Sequence, residues 1–187
     1  MKKTILITLS LLLAFYSHAQ FVLTVNNFVD VNDTSKNYIV IDVPNSTKEA
    51  LFNKAKKYFN TLYNNPKFVS SEIQNEQIVI DAIASNSMVL IYNWAGKNQW
   101  VLNYKFDFQF KDNKIKFTPI FKYLENEEYN KISLIGDKIM GINSGMFTTK
   151  GKVTVKKGVE KVEEYVNTYF EKFKTAMLKE DNKNDNW

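Results

Sequence analysis

Few residues in this chain could carry out chemistry, and the missing types narrow the choice further. The single histidine is His18, inside LLLAFYSHAQ; there is no cysteine and no arginine, and all 25 basic residues are lysine. Beyond residue 19, the reactive side chains are therefore Asp, Glu, Lys, Ser, Thr and Tyr. A Ser-His-Asp triad, a cysteine nucleophile and a histidine base are excluded there. So are zinc sites built from His or Cys, and so is a disulfide framework. Glu125, Glu127 and Glu128 could attract a cation, but they sit in a polar connection where carboxylates are ordinarily solvated. No carboxylate pair has a spacing that would set it across a cleft, as glycoside hydrolysis needs. Gly136, Gly141 and Gly145 match no phosphate-binding loop. The expectation is a protein that is not an enzyme and carries neither metal nor cofactor.

The clearest pattern is WVLNYKFDFQF, Trp100 to Phe110. Trp100, Leu102, Tyr104, Phe106, Phe108 and Phe110 point to one face of a strand, and the residues between them point to the other. The aromatic row could be a stacking surface, but helices with apolar stripes need such a face as their partner, so it is read as core. Tyr92 and Trp94 could line a pocket beside it, and core is again the expectation. Asp112-Asn113 suits a two-residue hairpin turn. That register sets Phe110 opposite Ile115, Phe108 opposite Phe117, Phe106 opposite Pro119 and Tyr104 opposite Phe121. The other face then carries the candidate binding residues: Asn103, Lys105, Asp107, Gln109, Lys116, Thr118 and Lys122, with Ile120 among them. Such a face could take a partner protein or a glycan, and it is equally what a plain solvated sheet presents. Lys105, Asp107, Lys116 and Lys122 are expected to be exposed on it.

The elements that position these residues follow from periodicity. YIVIDVP, Tyr38 to Pro44, reads as a strand with Ile39, Ile41 and Val43 on one side. A helix follows, with Ser46 and Glu49 spaced as a capping box. Its stripe is Leu51, Ala55, Tyr58, Phe59, Leu62 and Tyr63, and NNP stops it. KFVSSEI and QIVIDAIA read as strands around a turn at Gln74-Asn75-Glu76, and MVLIYNW reads as another after Ser85-Asn86-Ser87. Leu124 to Lys150 is hard to read, KVTVK could be a last strand, and Val159 to Leu178 is a second helix with Val162, Val166, Tyr169, Phe170, Phe173, Ala176 and Met177 as its stripe. Together these give an α+β class: a curved antiparallel β-sheet with two helices packed on one face. A helix-grip fold, with a cavity under the C-terminal helix, has a similar order of elements and is the alternative.

Residues 1–19 have the three zones of a signal peptide: Lys2 and Lys3, an apolar run of about twelve residues, and small residues at the Ala19–Gln20 junction. That run is too short to span a bilayer, which needs roughly 20 residues. The expectation is an exported chain, periplasmic or secreted, with no membrane span after cleavage. Residues 20–37 read as a loosely held segment with one edge strand, 38–178 as one domain and 179–187 as a disordered tail. The formal charge of +5 falls to +3 without Lys2 and Lys3. That is not the basic patch of a nucleic-acid binder. The remaining partners are another cell-envelope protein or a glycan.

The stretch YIVIDVPNSTKEALFNKAKKYFNTLYNNPKFV resembles the opening of a family of exported bacterial proteins of unknown function with a TATA-binding-protein-like fold. WVLNYKFDFQFKDNKIKF is similar to that family's hairpin. The resemblance covers Tyr38 to Lys122 and implies the fold. It implies no activity and no DNA binding, because function lives in sites and not in folds. Two readings follow: a binding module for an envelope component, or a carrier of a small hydrophobic ligand. A cavity above roughly 300 Å³ between the aromatic row and the last helix would favour the carrier, and a close-packed interior the module.

Overall fold

The computed structural model describes residues 20–93, 96–139 and 142–179. The signal-peptide reading, Trp94, the side chain of Tyr92, Gly141 and the tail from residue 180 lie outside them. The elements in chain order are β1 (Phe21–Thr24), β2 (Asn27–Asp30), β3 (Ile39–Asp42), α1 (Lys48–Leu62), α2 (Pro66–Val69), β4 (Ser70–Ile73), β5 (Gln77–Asn93), β6 (Gly96–Lys111), β7 (Lys114–Asn126), β8 (Lys131–Ile135), β9 (Lys138–Ile139), β10 (Ile142–Asn143), β11 (Gly145–Phe147) and α3 (Lys156–Leu178). One sheet runs in the order β11-β8-β7-β6-β5-β4, with β3 also on β7, and α1 and α3 cover one face. All of its pairings are antiparallel except β11 with β8.

The hairpin of β6 and β7 has the expected register, with Phe110 on Ile115, Phe108 on Phe117, Phe106 on Pro119 and Tyr104 on Phe121. Asn113 takes the left-handed conformation, φ 63°, which asparagine tolerates in turns. The same turn holds the start of α1. Asp112 Oδ1 accepts from the Lys48 N–H at 2.7 Å, and Asn113 Oδ1 accepts from the Ser46 N–H at 3.1 Å. A carboxylate at this end also suits the helix dipole. The cap itself is Thr47, whose hydroxyl accepts from the Ala50 N–H at 3.2 Å, and not Ser46. Ser46 is one residue too early because its backbone is already tied to the turn.

The structure departs from the sequence reading in four other places. KFVSSEI begins as the short helix α2, since Pro66 suits a first helical position, and only its second half is a strand. QIVIDAIA and MVLIYN are one strand, β5, whose register on β6 shifts between Ala84 and Met88. The polar Ser85-Asn86-Ser87 is absorbed as an irregularity where a turn was expected. KVTVK makes only a bridge from Val153 to Phe147, and α3 starts at Lys156. Residues 20–37 are firmly held: β1 and β2 form a hairpin, and Phe21 and Phe28 are wholly buried.

That hairpin fills a gap. On its outer edge β7 pairs with β3 up to Phe117 and with β8 from Leu124. Between them stands Pro119, which has no N–H to leave unpaired. The Asn27 side chain takes the next outward groups, accepting from the Phe121 N–H at 2.8 Å and donating to its carbonyl at 2.9 Å. On the other side of the hairpin, Asn167 of α3 accepts from the N–H groups of Gln20 and Phe21, both at 2.8 Å, and donates to the Phe21 carbonyl. Glu163 accepts from the Leu23 N–H at 2.8 Å.

Candidate functional site

The aromatic row is core, as expected. Leu102, Phe106 and Phe108 are wholly buried. Phe108 lies 4.9 Å from Phe59 of α1, 4.6 Å from Phe173 of α3 and 5.0 Å from Phe117 between ring centroids. The middle of the helix–sheet layer is filled with rings.

One end of the layer differs, and three elements change there together. Along β5 the helix-facing residues run Ile78, Ile80, Ala82, Ala84, so the strand turns from large to small. On α1, NNP ends the helix at Tyr63, whose backbone N–H caps onto the Phe59 carbonyl. On β6 and α3 the rings change from Phe to Tyr: Tyr104 on β6, and Tyr165 and Tyr169 on α3. The result is a cleft of about 480 Å³, floored by Ala84 and Tyr104 and walled by Tyr58, Tyr63, Tyr165 and Tyr169. Leu62, Asn64, Ile83, Thr168 and Lys172 form its mouth.

The tyrosine hydroxyls form a chain. Tyr165 donates to Tyr104 at 3.1 Å, Tyr104 and Tyr63 share a bond at 3.1 Å, and Tyr63 and Tyr169 share another at 3.1 Å. Burial pushes the phenols of Tyr63, Tyr104, Tyr165 and Tyr169 far above their usual pKa, with neighbouring phenols adding to the effect, and burial raises Tyr58 as well. The cluster is therefore a set of neutral O–H groups. It can hold a polar atom by hydrogen bonding but offers no base. Four hydroxyls joined by three contacts leave one O–H over, whichever way the chain runs.

The candidate residues on the sheet's other face are brought together in register, but they are less open than expected. Lys122 is exposed; Lys105, Asp107, Gln109 and Lys116 are half-buried; Asn103 and Thr118 are buried. Both buried residues are short and flanked by longer side chains: Asn103 lies between Ile83 and Tyr123 across the ladder, and Thr118 lies beside Asp107. Many of the polar groups already satisfy one another. Asp107 accepts from Gln77 at 2.8 Å and from Gln109 at 3.2 Å, and Lys122 bonds Asp81 at 2.7 Å. Lys116 lies over the Tyr38 ring at 5.2 Å. The Asn103 Nδ2 group has no hydrogen-bond partner among the described residues. Glu125 pairs with Lys131 at 3.5 Å, whereas Glu127 and Glu128 are exposed. Among the described residues no cluster of three or more His, Cys, Asp or Glu is placed to hold a metal ion, and no helix is long and apolar enough to cross a membrane.

A sequence reading that placed Tyr63, Tyr104 and Tyr169 on apolar stripes missed the cleft. The signal was there in two forms: tyrosine, not phenylalanine, at stripe positions of three elements, and isoleucine giving way to alanine within QIVIDAIA.

An antiparallel-dominated sheet with helices on one face defines an α+β domain. Residues 38–119 match the model of a family described as a domain of unknown function, DUF4468, with TBP-like fold, so this is the family the strand–helix opening and the hairpin resemble. Two solved structures are similar. A DUF4468 family protein from Bacteroides ovatus superposes with a TM-score of 0.51 at 10% identity, over 78% of this chain and 87% of that one. A TBP-like protein from Parabacteroides distasonis gives 0.49 at 12% identity, over 77% and 92%. No curated protein matches the chain in sequence.

Proposed function

We propose that this chain is an exported, non-enzymatic binding domain that holds a small, largely apolar ligand in the tyrosine-lined cleft. The observation that carries the reading is the cleft of about 480 Å³ between Ala84, Tyr104 and the two long helices. It is in the size range of small-molecule sites, and its apolar walls with a few convergent polar groups have their usual composition. It also exceeds the volume that separates a carrier from a closed-packed module, although the layer is close-packed beyond it. Neutral phenols support binding over catalysis, since none is poised to take a proton. Export rests on the leader-like residues 1–19, and protein recovered outside the cytoplasm should then begin at Gln20.

The cleft is tested with a neutral fluorophore, phenylnaphthylamine. Saturable, single-site binding is expected, and Ala84→Phe, which fills the floor, should abolish it while the protein keeps its circular dichroism spectrum. Equal binding by Ala84→Phe and the native chain would refute the reading.

A further inference from the structure

We infer that the ligand of this cleft is an amphipathic carboxylate: an apolar body among the aromatic and aliphatic walls, and an anionic head at Lys172 and the tyrosine hydroxyls. The inference rests on the cleft being the binding site, and it adds the ligand's charge.

Three observations lead to it. Lys172 is the only charged side chain lining the cleft, and no Asp or Glu lines it among the described residues. The neighbouring carboxylate Glu171 is directed to Lys174, at 3.8 Å. Secondly, the other polar groups of the cleft are hydroxyls of Tyr and Thr and the amide of Asn64, all of which can donate to an oxyanion. The hydroxyl chain leaves one O–H without an acceptor within the chain of four. A carboxylate oxygen accepts such bonds more strongly than a neutral oxygen does. Thirdly, the cleft has apolar surface on Leu62 and Ala84 beside the tyrosine rings, and Leu62 is about half exposed, at 45%. An apolar body lying there would remove it from water.

The end of α1 also faces the cleft, and its last carbonyls carry a partial negative charge. That amounts to about half an elementary charge, falling off within a turn, against the full charge of one ammonium. The balance at the mouth is positive.

The test displaces bound phenylnaphthylamine with two ligands of the same ring system, naphthoate and naphthylmethanol. The native protein should bind the acid about fivefold or more tightly than the alcohol, as a charge-assisted bond at an exposed lysine allows. That preference should shrink with added salt. Lys172→Met should remove it while leaving affinity for the alcohol within about twofold of native. Equal affinity for acid and alcohol, or a preference that survives in Lys172→Met, would overturn the carboxylate assignment with the cleft intact. Displacement by neither ligand would overturn it too. Failure of the fluorophore itself to bind would instead remove the cleft as a site.

Discussion

The two ends of the layer between α1, α3 and β6 are built on the same plan and do opposite things. At the Phe108 end, Phe59, Phe117 and Phe173 close around it with centroid separations of 4.6 to 5.0 Å. At the Tyr104 end, Tyr63, Tyr165 and Tyr169 supply rings of similar size, and each adds a hydroxyl. Ala82 and Ala84 replace the isoleucines that fill the first end. One end is solid because large side chains meet from three sides. The other is hollow because one strand withdraws its side chains while the rings around it turn polar. Solid and hollow packing are thus divided along one strand, four residues apart.

The largest test of this division is Phe108→Ala. It removes a wholly buried ring and should cost about 3–5 kcal/mol in denaturant unfolding. A loss below about 1 kcal/mol would show that the solid end is not solid.

The next largest effect is alkaline. The phenols of Tyr58, Tyr63, Tyr104, Tyr165 and Tyr169 have folded-state pKa values above the unfolded value of 10.0. The stability that comes from keeping them neutral is fully present below that value and is lost as pH rises beyond it. Melting temperature should drop steeply above about pH 10, and tyrosinate absorbance from these residues should appear only with unfolding. Smooth titration of these five phenols in the folded protein would mean that the hollow end is wet throughout.

Tyr104→Phe should cost less, about 1–2 kcal/mol, because it breaks the hydroxyl chain, leaves Tyr165 without its acceptor and leaves Tyr63 bonded to Tyr169 alone. A neutral result would show that water replaces the lost hydroxyl. The smallest effect belongs to the far face. Lys105→Ala and Lys122→Ala should each change stability by no more than about 0.5 kcal/mol, since the exposed Lys122–Asp81 pair is worth little.

What could be read in advance follows from the range of the interactions. The β6–β7 register was legible because alternation and a two-residue turn constrain each other locally. The α1 stripe and its stop at NNP were legible for the same reason. The cleft was not: Tyr63, Tyr104 and Tyr169 each read as an apolar stripe residue, and only tertiary packing brings their hydroxyls within 3.1 Å. Residues 20–37 looked loose because nothing nearby holds them. Their partners are the Asn167 side chain and the Phe121 backbone. Ser85-Asn86-Ser87 looked like a turn because polarity was the only local cue, and the long partner strand β6 overrode it.

The Asn167 clamp also has a consequence in time. Phe21 leaves the ribosome early, and the side chain that pairs its backbone lies 146 positions later. At about 5–20 residues per second that is a wait of roughly 7–30 s. For that interval Phe21 and Phe28 have no helix α3 to lie under. This early hairpin is the last to be seated, and whatever handles the nascent chain must shield two phenylalanines until α3 arrives.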